Sequence, residues 1–329
     1  MDNKLEIGVE GWVGFRPDVK VLDCSVRDGG LINDHLFDER VVKAVYEADR
    51  EAGVDYVEIG YKASKKIFSP SENGPWKFCD EDDIRRVIGE KDPGIKISVM
   101  ADAERTDYRE DILPREKSVI DCVRVACYIN QIPVAMDMVK DATDKGYETM
   151  LQLMSVSVVN EAELKAALEI AAGSPAQAVY IVDSFGALYS EQVRDLTKIY
   201  VDILKPAGKE VGFHAHNNRQ LAFANTIEAL IAGASRLDAT IFGIGRGAGN
   251  CPLELLIGFL HNPKFRLRPV LKCCQEVFVP LRAEMDWGYS IPYAITGQLN
   301  QHPRAAIKFR AGKKPDDYVA FYDQMVEEE

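Results

Sequence analysis

The sequence predicts a closed (β/α)8 barrel, an α/β fold, on three observations. Eight apolar, β-branched runs recur along the 329 residues, helical patterns separate most of them, and each run ends in polar side chains. Strand and helix patterns in alternation mean a parallel sheet with crossover helices. Strands that read as near-continuous apolar runs are buried on both faces, and eight such units fit a closed barrel better than an open sheet. A chain of this length with 47% hydrophobic residues can fill that core as one domain.

The first strand is read at Val19 to Cys24, with Arg27 and Asp28 just after it. A helical pattern over 38–52 leads to the second strand, Val54 to Gly60, which carries Glu58 and is followed by Tyr61 and Lys62. The third, Ile95 to Ala101, precedes Asp102. Segment 103–118 has charge and a proline but no apolar stripe, so a loop with a short helix is expected there; this is the weakest crossover, and one strand too many is the alternative count. The fourth strand, Cys122 to Ile129, ends at Tyr128 and Asn130. Helix 133–145 joins it to the fifth, Tyr147 to Val156, which holds Gln152. Helices over 160–172, 190–204 and 221–232 then alternate with strands Ala178 to Asp183, Glu210 to His216 and Arg236 to Gly243. Residues 253–260 supply the eighth helix. The barrel therefore spans 18–260, and 261–329 form a mostly helical C-terminal extension with an amphipathic helix at 269–284 and a polar NQHPR cluster around His302.

In such barrels chemistry sits where the strands end, because the βα loops converge there. His214 and His216, two apart on a strand, project from the same side. With a carboxylate such as Asp28 they make a mixed nitrogen and oxygen donor set suited to a divalent metal. An isolated H-x-H also occurs as strand decoration; the polar ends of the other seven runs favour a site. Arg27 places a permanent cation beside Asp28.

Composition narrows the function classes. A net charge of −12 argues against a nucleic-acid surface. No run reaches the roughly 18 apolar residues needed to span a bilayer, and the first residues lack a secretory signal, so a cytoplasmic protein with no membrane partner is expected. Seven cysteines at irregular spacing read as mostly buried thiols rather than a disulfide framework.

Three separated motifs carry a resemblance: DCSVRDG at 23–29, HAHNN at 214–218 and GIGRGAGNCPLE at 243–254. Together they resemble the signature positions of the DRE-TIM metallolyase superfamily over roughly residues 18–260. DSFGAL at 183–188 and GAGNCPLE look most like its 4-hydroxy-2-oxovalerate aldolase branch. The resemblance implies that Asp28, His214 and His216 bind a divalent cation (Mn, Mg, Zn or Co), with Asn250 a further ligand. It implies that Arg27 stabilises an enolate oxygen, a role its fixed charge and fork of donors suit. The activity implied is that of an aldolase or lyase acting through a pyruvate-like enolate of a 2-oxo acid, with an aldehyde as the other product. Glu58, Gln152, Asp183 and Gly247 are expected around the substrate, with Glu58 and Asp183 favoured in support, pairing with Arg27 or capping loop amides.

One departure matters. Where that branch has a basic histidine a few residues beyond RDG, this chain reads Gly30-Leu31-Ile32-Asn33, and Leu31 takes no proton. Candidate bases are His35, Tyr61, Tyr128, Tyr293 and His302; the expected catalytic set is Arg27, His302 and Tyr128, with His302 folding over the barrel mouth from this chain or a neighbouring subunit. The alternatives are a Claisen-type acyl-CoA synthase, a hydroxymethylglutaryl-CoA lyase-like enzyme using Cys251, a Schiff-base aldolase using Lys62, a dinucleotide loop at GIGRGAG, and a metal-binding scaffold without activity. A homodimer is expected, since the extension needs something to bury its apolar face.

Overall fold

In the computed structural model, which describes residues 16–327, eight parallel strands close in sequence order, and β1 pairs with both β2 and β8. The strands are β1 (Lys20–Asp23), β2 (Tyr56–Tyr61), β3 (Lys96–Asp102), β4 (Cys122–Cys127), β5 (Glu148–Leu153), β6 (Ala178–Asp183), β7 (Glu210–Ala215) and β8 (Arg236–Ala239). The helices in and around the barrel are α1 (Ser25–Gly29), α2 (Glu39–Ala52), α3 (Glu81–Ile88), α4 (Tyr108–Asp111), α5 (Ile132–Asp144), α6 (Glu161–Ala172), α7 (Ser190–Leu204), α8 (Ala222–Ala232) and α9 (Leu253–Leu260). Beyond them lie α10 (Leu267–Cys273), α11 (Val279–Leu281), α12 (Ile291–Gln298), α13 (Arg304–Arg310) and α14 (Tyr318–Glu327). The N-terminal segment read for a signal lies outside the described residues, as do residues 328–329. No helix among the described residues is long and apolar enough to cross a membrane.

Local chemistry explains the boundaries. Asp38 caps α2 by accepting from the Arg40 amide, and Gly53 ends it at φ +76, where a Cβ would strike the Lys264 carbonyl. The fifth strand stops short of its expected end because Ser155 turns to φ +56; the eighth stops at Ala239, before a tight turn with Phe242 at φ +57. Tyr128 and His216 fall just past the ends of β4 and β7, and His216 forms an isolated bridge with Asn250. The weak third crossover is the expected loop with a short helix, α4. Helix α3 was not expected: its sequence EDDIRRVI is mostly charged, yet Ile84, Val87 and Ile88 are buried. The expected 269–284 helix is broken into α10, a π turn at Cys274–Phe278, and α11. Pro280 cannot donate to the carbonyl four residues back and its ring crowds that carbonyl, which the wider turn relieves.

One layer of apolar side chains packs the outer strand faces against the helices, and a second fills the barrel with Leu22, Tyr56, Met150, Tyr180 and neighbours. Charged side chains also point inward. Arg236 and Asp238 alternate with outward Leu237 and Ala239 on β8, and Arg124 of β4 lies over the Tyr180 ring at 4.6 Å. Arg236 closes the lower end by contacting Glu148, Glu210 and the Tyr56 hydroxyl. Arg124 and Asp238 lead up to the functional end.

Candidate active site

Asp28 stands on the one-turn helix α1, and His214 leaves the end of β7. His214 Nε2 lies 3.6 Å and His216 Nε2 3.9 Å from Asp28 Oδ2. One ligand atom from each of the three buried residues falls within 4.8 Å of the others, the spacing of groups able to share one cation. The donor set tests well. Nε2 of His214 is buried without a hydrogen-bond partner, while its Nδ1 is 3.0 Å from Asp238 Oδ2. That contact fixes the proton on Nδ1 and leaves the other lone pair for a metal, a common arrangement around ligating histidines. Buried Asn250 donates through Nδ2 to the Ile244 carbonyl and keeps Oδ1 unpartnered. Gly245 makes room for it: a Cβ there would sit 2.1 Å from Asn250 Nδ2 and 2.7 Å from Asp28 Oδ1.

Arg27 is held on two sides, by Nε to Glu58 Oε2 at 2.7 Å and by Nη1 to Asp28 Oδ2 at 2.5 Å. Arg124, wholly buried beneath it, bonds Glu58 Oε2 at 2.9 Å, Gln152 Oε1 at 2.9 Å and Asp238 Oδ2 at 2.5 Å. A continuous chain of alternating charges thus runs Arg27, Glu58, Arg124, Asp238, His214. Burial opposes the ionised form of Asp28, but Arg27 and the two imidazoles outweigh it and hold the carboxyl well below its usual range. Burial likewise opposes a charged His214, yet Asp238 and Asp28 raise it; His216 is driven well below its usual value by burial.

These groups open onto a cavity of about 450 Å³ at the C-terminal ends of the strands. Arg27, Asp28, His214, His216, Tyr128 and Gln152 line it, and so does Leu31. His302 lines it too, carried by the extension of the same chain. Three expected substrate contacts stand elsewhere. Glu58 lies underneath, bound to both arginines. Asp183 accepts from the Ala187 and Leu188 amides at 2.9 and 3.2 Å, and burial pushes its carboxyl up to about 6. Gly247 backs onto Tyr293 and Pro303 and borders a separate cavity, because the glycine loop turns away behind Arg246.

The candidate bases separate by environment. His35 packs behind Gly30 with its ring edge-on to Tyr61, and burial brings it down to about 3. His302 is also brought to about 3, by burial and by Arg246, whose Nη1 lies 3.1 Å from His302 Nε2. Arginine only donates, so that lone pair faces a cation. Lys62 points away from the cavity, bonded to the Cys79 carbonyl at 2.7 Å. Burial drives the Cys251 thiol up to about 12. The sequence motifs point to no role for four wall or support residues: Arg124, Asp238, Lys77 and Arg246. The signal for the first two was present, since a charged residue inside a doubly buried strand must find a partner.

Residues 18–275 match the family model described as HMGL-like. Oxaloacetate decarboxylase of Mycobacterium tuberculosis is 35% identical over 248 residues, 74% of this chain and 70% of that protein. The 4-hydroxy-2-oxovalerate aldolase 2 of Mycolicibacterium smegmatis is 32% identical over 246 residues, 74% of this chain and 69% of that one. Among solved structures, the N-terminal domain of a protein described as an aldolase from Bacteroides vulgatus superposes with a TM-score of 0.80 at 27% identity, covering 92% of this chain and all of that one. Hydroxymethylglutaryl-CoA lyase from Pseudomonas aeruginosa shares the fold, with a TM-score of 0.63 at 16% identity over 81% of this chain and 94% of that one. The chain belongs to the HMGL-like family, and its place among an oxaloacetate decarboxylase and aldolases makes it a carbon–carbon lyase.

Proposed function

We propose that this lyase cleaves or forms the C3–C4 bond of a 4-hydroxy-2-oxo acid through a pyruvate-like enolate, using a divalent cation held by Asp28, His214 and His216, with Asn250 as a further ligand. The observation that carries the reading is the Asp28, His214 and His216 cluster on the cavity floor with the Arg27 guanidinium fixed beside it. A bound Mn, Mg, Zn or Co ion would polarise the 2-oxo group and spread the enolate charge. Arg27, anchored by Glu58, presents a fixed cation to the enolate oxygen as charge develops. Asp238 keeps His214 in the tautomer that offers Nε2. When the C3–C4 bond breaks, its electron pair becomes the C2–C3 double bond of the enolate, the 4-hydroxyl proton leaves and an aldehyde departs; protonation at C3 gives the 2-oxo acid. Tyr128 at the rim and Gln152 in the wall contact the substrate, and the barrel at 18–260 works with the extension at 261–329 as its cover. The protein is cytoplasmic and acts as a homodimer.

A second reading has its own support. Leu31 in the wall and a His302 lone pair turned to Arg246 leave little provision for taking a proton from a hydroxyl. Loss of CO2 from a 2-oxo acid whose C4 is itself a carboxylate reaches the same enolate with no base: the C3–C4 electron pair stays behind and a proton later returns to C3. The test incubates Mn-loaded protein with 4-hydroxy-2-oxopentanoate and with oxaloacetate, and follows pyruvate by a coupled NADH assay. Pyruvate from the first supports aldol cleavage; pyruvate from the second alone selects decarboxylation. Retention of full activity and one tightly bound metal per chain in both Asp28→Asn and His214→Ala would sink the site.

A further inference from the structure

The cavity is opposite in sign to the molecule around it. The chain carries a net charge of −12, yet five cations, Arg27, Lys77, Arg105, Arg246 and Arg304, line the cavity against three carboxylates. Arg27 is paired with Glu58 and Asp28. Arg246 is not: among the described residues no carboxylate pairs with its guanidinium. Its Nη1 meets the His302 ring at 3.1 Å, its Nη2 donates to the Ser184 carbonyl at 3.2 Å, and its Nε is buried with no partner. Its backbone amide donates to Asp28 Oδ1 at 3.2 Å, which ties the residue to the metal cluster. Lys77 is also buried, its ammonium 4.7 Å from the Tyr61 ring centroid and 4.4 Å from that of Phe68, again with no carboxylate paired to it among the described residues. A guanidinium with only neutral partners in a partly desolvated wall is stabilised by a ligand that brings its own negative charge.

We propose that Arg246 is the receptor for a second anionic group on the substrate, placed beyond the bond that breaks, so that the preferred 2-oxo acids are dianions. The inference rests on the 2-oxo acid reading of the site. One end of the ligand, the 2-oxo carboxylate, belongs to the Asp28, His214 and His216 end; the other, a carboxylate or a phosphate, meets Arg246 with Arg304 and Lys77 adding to the field. An arginine clamped on a carboxylate about to leave as CO2 would hold it in place. The clamp therefore favours substrates whose aldehyde half keeps the anion.

The experiment compares non-reacting isosteres by calorimetry on the Mn-loaded protein. 2-Oxoglutarate and 2-oxopentanoate differ by a terminal carboxylate in place of a methyl group. Wild type is expected to bind 2-oxoglutarate about 10- to 100-fold more tightly, as a charge-assisted hydrogen bond gives, and Arg246→Gln is expected to bring the ratio close to one while its circular dichroism and melting temperature stay near wild type. 2-Oxo-4-phosphonobutanoate divides the sources: tighter binding than 2-oxoglutarate assigns the clamp to phosphate esters, weaker binding to dicarboxylates. Equal wild-type affinities for the two isosteres overturn the inference alone, whether or not the variant folds. Selectivity lost in Lys77→Met and kept in Arg246→Gln overturns the assignment to Arg246. Binding of neither 2-oxo acid, with the metal in place, removes the 2-oxo acid reading and the inference with it.

Discussion

At the scale of single residues, Asp238 tests whether the charge chain under the cavity sets the properties of the Asp28, His214 and His216 cluster. Asp238→Asn keeps the side-chain volume but turns a carboxylate partner of both His214 and Arg124 into a neutral one. Metal affinity is expected to fall about 10- to 100-fold, read by competition with a chelator, since partners behind a ligating histidine typically carry that much. Wild-type affinity in a folded variant would mean that the contact at 3.0 Å does nothing for the ligand. Arg27→Lys should lower kcat by about 10²- to 10³-fold with little change in metal content, because an ammonium cannot bond Glu58 and face an enolate oxygen in one rigid plane. Steady-state kinetics with metal analysis on the same sample decides it. Arg27, Asp28 and the histidine pair were legible in the sequence because they lie in short motifs at strand ends. Arg124 and Asp238 were not assigned, because their meaning depends on which side chain stands across the barrel, and linear spacing does not report that. Glu58 pairs with Arg27, and Asp183 accepts from two loop amides.

At the scale of elements, the junction of β1 and α2 buries two carboxyls against each other. Asp23 accepts from the Ser25 amide at 2.9 Å and faces Asp49, which is wholly buried. Burial pushes Asp23 up to about 6 and Asp49 well above its usual 3.8. The folded state therefore holds protons that the unfolded chain releases. The stability these protons contribute is complete below about pH 3.8 and is lost as pH rises through about 6 for Asp23 and higher for Asp49. Asp49→Asn should stabilise the protein by roughly 1–3 kcal/mol at pH 8 and by little at pH 4. Denaturant melts of both proteins across that range check it; a constant difference would show that the pair does not share a proton. Most strands and helices could be read from apolar periodicity, but α3 hid because only three of its eight side chains are apolar and buried, and the π turn hid because its cause, Pro280, sits two residues past it.

At the scale of the whole molecule, the extension is part cover and part exposed surface. Val319 is 73% exposed on α14, Tyr322 48% and Val326 40%. If two copies bury this helix, light scattering should find two chains per particle in the wild type and one in Val319→Glu/Tyr322→Glu. A wild-type monomer at micromolar concentration would end the dimer reading. The order of the barrel was legible because eight apolar runs with polar ends admit few topologies; how the extension folds was not, since its contacts with the mouth depend on positions far away in sequence.

His302 and Arg304 reach the cavity from the same chain that supplies Arg27, Asp28 and the histidine pair. Each copy then owns a whole reaction chamber, which makes the protein a simple counter. If two copies associate, mixed particles of wild-type and Asp28→Asn chains should turn over in direct proportion to the wild-type fraction, and two different dead variants mixed together should stay dead. In a cell carrying one damaged and one intact gene copy, the damaged chain would dilute the activity without poisoning it.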